Sequence, residues 1–177
     1  VDFAVVPALL IVLLGILCAV VSMIFCKTLH ESGHLFRKYI PNAYLRVIVG
    51  SVIIIVLTAI LRTTAYSGAG VNLIEEAFLG EAPMMAFFWK IVFTAITLGV
   101  GFKGGEIVPS FCIGATFGCL FGGLVGLDAG IAAALGLVGL FCCATNSPFA
   151  SMVLSIEMFG GANLHLFALV CVICFVL

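Results

Sequence analysis

The sequence predicts an all-helical integral membrane protein built from broken helices rather than from simple full spans. Three observations carry that prediction. Hydrophobic residues make up 64% of the 177 and charged ones 8%, with a mean hydropathy of +1.40, whereas about a quarter of residues are charged in soluble domains. The roughly seven apolar stretches differ in length, some near the roughly 20 residues a span needs and others clearly shorter. Between two of the longest lies a glycine-rich polar knot, Gly101-Phe-Lys-Gly-Gly-Glu-Ile-Val-Pro-Ser-Phe-Cys-Ile-Gly-Ala-Thr-Phe-Gly118.

Residues 3–26 form an apolar run that continues into a polar helical tail, Lys27 to Tyr39, ended by Pro41. This reads as one long spanning helix. Lys27, Arg37, Lys38 and Arg46 crowd the connection to the next apolar run, 47–61, which the positive-inside rule places on the cytoplasmic side. After Arg62 the small polar stretch Thr63-Thr-Ala-Tyr-Ser-Gly-Ala-Gly70 turns the chain. Residues 71–80, with Glu75 and Glu76, are too short to span and read as an interfacial helix at the opposite face. Pro83 opens a spanning helix over 83–102 that carries Trp89 and Lys90.

Beyond the knot, 107–127 is apolar, and the spacings Gly114 to Gly118 and Gly122 to Gly126 fit the small-xxx-small pattern of closely packed membrane helices. Asp128 punctuates, 129–145 runs on, Thr145-Asn-Ser-Pro148 breaks the chain, and a short helix over 148–158 carries Glu157. A last helix occupies 163–177. The chain starts at Val1 rather than methionine and stops inside an apolar run, which reads as a piece of a longer protein.

The knot is where chemistry is expected. Gly101, Gly104 and Gly105 each weaken a helix by about 1 kcal/mol relative to alanine, and Pro109 suits the first turn of a new one. The amides of about Gly105, Glu106, Ile107 and Val108 then have no intrahelical partners, and the helix dipole adds about half a positive charge there. Such a helix start receives anions. Lys103 and Glu106 either pair across the break or border an anion path, because a charge at the bilayer centre costs about 2.5 to 3.5 kcal/mol and does not persist without a partner or a function.

Other motifs are weaker. His30-Glu31-Ser-Gly-His34 matches H-E-x-x-H, whose two histidines one turn apart bind zinc in metalloproteases. Its form resembles the intramembrane site-2 proteases, but a third ligand segment is not evident and the motif sits at a basic helix end. Histidines on a solvated helix end explain it, and an enzyme is not expected. Gly99-Val-Gly-Phe-Lys-Gly104 lacks the βαβ context of a dinucleotide site, so no cofactor is expected. The eight cysteines lie in or beside apolar runs and read as core fillers, Cys171-x-x-Cys174 included. A net charge of -1 argues against nucleic acid as a partner.

Taken together, Gly104-Gly-Glu-Ile-Val-Pro-Ser-Phe-Cys-Ile-Gly-Ala-Thr-Phe-Gly118, Gly68-Ala-Gly-Val-Asn-Leu-Ile74 and Ala144-Thr-Asn-Ser-Pro-Phe-Ala150 through Ile156-Glu-Met158 resemble, in order and spacing, the CLC chloride channels and transporters. The resemblance implies a CLC-type broken-helix bundle in which residues 1–177 are the second half of an inverted repeat, helices J to Q in the family's lettering, without the final helix. It implies a homodimer through 148–158 and 163–177, and anion coordination by the amides of Glu106 and Ile107. Glu106 stands where an apolar residue is usual, and Gly-Phe-Lys-Gly-Gly-Glu106 with Asn146-Ser-Pro148 is similar to the fluoride-exporting, proton-coupled branch. The expected function is therefore halide transport in a plasma or inner membrane, fluoride/proton antiport before chloride channel or chloride/proton exchange, with the zinc protease a remote alternative.

Overall fold

The computed structural model describes residues 5–161 and 163–177, with side chains from Ala8 onward; positions 3 and 4 of the expected first run lie outside the described residues. The described chain forms eight helices: α1 Val5–Tyr39, α2 Ala43–Leu61, α3 Val71–Leu79, α4 Ala86–Gly99, α5 Ile107–Val125, α6 Ala129–Thr145, α7 Pro148–Phe159 and α8 Leu164–Val176. Of these, α1, α2 and α5 are long and apolar enough to cross a membrane.

At α4 the structure corrects the sequence reading. The helix expected over 83–102 is 14 residues long, about 21 Å at 1.5 Å per residue, and does not cross a hydrocarbon core of about 30 Å. Pro83 makes a turn instead of opening it, with the Ala86 amide donating to the Pro83 carbonyl at 2.9 Å. The short helix α3 packs by one face onto the bundle. Leu73 and Ala77, one turn apart, are fully buried where α3 packs on α5 and α6, while Glu75 is exposed.

The centre of the bundle is the antiparallel seam of α5 and α6. A Cβ added at Gly114 would lie 2.5 Å from the Gly136 carbonyl oxygen, and one at Gly118 would overlap the carbonyl of Ala132. The backbones therefore touch, as small residues allow in apolar surroundings. Gly122 continues the seam against Ala132, but Gly126 does not belong to it: with φ 74° it closes α5 as a left-handed cap, so the expected Gly122 to Gly126 pair is a packing glycine followed by a terminating one.

Behind the seam, α8 wedges between α1 and α6 over Gly15 and Gly139, where an added Cβ would meet Ile173 at 3.1 Å and Val170 at 2.6 Å. Six of the eight cysteines are buried, and all eight are free thiols. The Asp128 carboxylate caps α6 by accepting from the Ile131 amide at 2.9 Å. Asp128→Ala is expected to lower stability by about 1 kcal/mol, with Asp128→Asn losing less than half of that, read from the unfolding midpoint in denaturing detergent. Equal midpoints for the two variants would exclude the cap.

Candidate anion site

The break between α4 and α5 is held open by specific bonds. Val100, Gly101 and Phe102 close the end of α4 through amide bonds to Ile96, Leu98 and Thr97, and Gly101 takes φ 104°, a conformation that only glycine adopts without strain. The Val100 carbonyl would be left without a partner, and Arg46 of α2 donates to it from Nε at 3.0 Å. A guanidinium at a helix C-terminus also matches the negative end of the dipole. Arg46, which the sequence reading counted only among the cytoplasmic charges, is thus a cap. Ser32 of α1 adds a second brace, donating to the Ala95 carbonyl at 2.9 Å, and Gly99 admits it, since a Cβ there would lie 2.6 Å from Ser32 Oγ.

Helix α5 then begins with Glu106 as N-cap, whose side chain makes no capping bond. The first helical bond runs from the Ser110 amide to the Glu106 carbonyl at 3.0 Å. The amides of Ile107 and Val108 therefore stand ahead of the ladder, Pro109 has none to offer, and no acidic side chain occupies the first turn. Residues 101–108 are all exposed. The helix start is open, positively polarised and unneutralised.

Two cavities flank it. One, of about 840 Å³, brings Lys103, Gly105, Ile107, Val108 and Pro109 together with the turn Tyr66 to Ala69 and with Thr94 and Thr97 of α4. Burial, and after it the Glu76 carboxylate, push the Tyr66 phenol above its usual range. The other cavity, of about 480 Å³, holds Glu106 with Cys26, His30, His34, Arg37 and Gly99. The break thus separates the expected site residues: Lys103 and Glu106 face different cavities, which argues against the ion pair that sequence spacing allowed.

His30 and His34 are exposed and meet edge to face with ring centroids 4.8 Å apart. Among the described residues no group of three or more His, Cys, Asp or Glu is placed to hold a metal ion. The motif's neighbour is Glu106, some 70 positions away in the chain, and no local pattern announces that. Lys90 is the other residue the sequence reading passed over. Its signal was present, a lone lysine in the middle of an apolar helix.

Comparison with known proteins decides the family. A family model described as "Voltage gated chloride channel" matches residues 1–176. The chain belongs to the CLC family. A CLC relative from Pseudomonas syringae pv. tomato, "Chloride/fluoride channel protein", is 34% identical over 170 residues, covering 92% of this chain and 37% of the relative. A Vibrio parahaemolyticus relative, "H(+)/Cl(-) exchange transporter ClcA", is 28% identical over 162 residues, 84% of this chain and 35% of its own. The crystal structure of a CLC-type fluoride/proton antiporter superposes with a TM-score of 0.94 at 31% identity, over all of this chain and 45% of that one. The chain accordingly spans less than half the length of these CLC relatives and has the all-helical CLC membrane fold across its whole described length.

Proposed function

We propose that this chain is the second half of a fluoride/proton antiporter and that the start of α5 binds the transported anion. The supporting observation is the open N-terminus of α5, where the Ile107 and Val108 amides precede the hydrogen-bond ladder and Glu106 occupies the N-cap without capping it. Such an end offers fluoride directed N–H donors and a fixed partial charge in place of its hydration shell. Glu106 supplies its amide to the anion and its carboxylate to protons. The two-sided geometry suits both tasks, since Ile107 and Val108 border the larger cavity while Glu106 lines the cavity of His30, His34 and Arg37.

Fluoride is preferred to chloride because Glu106 follows two glycines at the helix start, and because the relative and the solved structure at 34% and 31% identity both carry fluoride in their descriptions. The homodimer is proposed through α7 and α8, whose outer faces present Phe149, Val153, Ile156, Val172 and Phe175 as exposed apolar side chains. The test is flux from liposomes holding the full-length protein, with fluoride, chloride and protons followed together. Fluoride efflux with opposed proton movement is expected. Chloride moving as fast as fluoride would sink the fluoride assignment, and anion flux without protons would make the protein a channel.

A further inference from the structure

Lys90 lies in the middle of α4 and is 1% exposed. Its ammonium donates to the Gly68 carbonyl at 2.7 Å and to the Tyr66 carbonyl at 3.2 Å. Both partners are backbone dipoles, and neither is a carboxylate, so the positive charge is solvated but not neutralised by its bonds. The turn it grips, Tyr66 to Ala69, forms the wall of the 840 Å³ cavity that faces Gly105, Ile107 and Val108.

The local backbone is shaped for this contact. Gly70 has φ +81°, and a Cβ there would lie 2.9 Å from Lys90 Nζ and 2.9 Å from Cys112 Sγ, so only glycine lets the ammonium sit beneath the turn. Within one peptide plane the C=O and the following N–H point in opposite directions. Drawing the Gly68 carbonyl towards α4 therefore turns the Ala69 amide the other way, and Ala69 is exposed and lines the cavity. Without the ammonium, two carbonyl oxygens would be free to rotate towards the anion path, where their negative ends repel an anion.

We infer that Lys90 is a positioning residue of the anion site: it holds the carbonyls of the 66–68 turn away from the cavity and places a fixed positive charge behind that wall. The inference rests on the anion reading of the α5 start. Its test is the fluoride dependence of flux by the full-length protein in liposomes, comparing wild type with Lys90→Gln, Lys90→Arg and Gly70→Ala. Lys90→Gln is expected to raise the half-saturating fluoride concentration about tenfold, a larger change than in the maximal rate, and Lys90→Arg to recover most of it. Gly70→Ala, which keeps the charge but displaces the ammonium, should fall between them and decides the matter if the glutamine variant does not fold. A half-saturating concentration equal to wild type in Lys90→Gln, or in a folded Gly70→Ala, overturns the inference even if maximal rate falls. A wild-type protein that moves fluoride keeps the anion reading intact in that case, whereas one that moves neither fluoride nor chloride overturns both.

Discussion

Glu106→Gln in the full-length protein is expected to cut fluoride-driven proton movement by about 100-fold, while the half-saturating fluoride concentration stays within about threefold. The two effects separate because they belong to different atoms. The backbone amide at position 106 survives the exchange, and so do the open amides of Ile107 and Val108 ahead of the Ser110 to Glu106 bond. Glutamine does not titrate, so only the proton step is lost. Simultaneous proton and fluoride recordings on the same liposomes provide the check. Proton movement that persists at the wild-type rate would show that protons bypass Glu106, and a large loss of fluoride affinity would show that the carboxyl group, rather than the amide, is the anion's partner.

The second large effect is expected at the seam of α5 and α6. Gly118→Ala should destabilise the bundle by about 3 kcal/mol, the upper range for overpacking, because the added Cβ meets backbone rather than a side chain able to move. It would overlap the Ala132 carbonyl and stand 3.0 Å from the Ala133 Cα. Relief requires the two helices to part along the seam, and α5 carries the candidate anion site at its N-terminal end. The control is Gly123→Ala on the same helix, where a Cβ meets nothing within 4 Å; its gain in helix propensity, about 1 kcal/mol, should leave the protein at least as stable as wild type. Unfolding midpoints in denaturing detergent compare the two, and equal midpoints would refute the close backbone packing.

Much of this architecture is legible in the sequence. The alternation of apolar runs with Pro41, Gly70, Asp128 and Asn146-Ser-Pro148 located every helix, because membrane helices announce themselves by hydropathy and end where caps and breakers stand. The boundaries were less legible. Asn42 draws α2 back to Ala43 by accepting from the Tyr44 amide at 3.0 Å, while Pro83 forms a turn and delays α4 to Ala86. A proline marks a helix boundary without saying on which side of a turn it will fall.

The candidate site divides along the same line. The break at Gly101 to Glu106 and the unpaired amides of α5 follow from residues adjacent in the chain, since propensity, capping and dipole are local properties, and the CLC resemblance follows from the order and spacing of three such segments. Tertiary structure alone decided that Arg46 caps α4, that Lys90 lies under the Tyr66 to Gly68 turn, and that Lys103 and Glu106 face separate cavities. These contacts join segments separated by loops, and their partners are mostly backbone carbonyls, which every residue possesses and no sequence pattern distinguishes. A side chain's charge can be read from its letter. Which carbonyl it reaches depends on how closely glycines such as Gly70 and Gly99 let two helices approach.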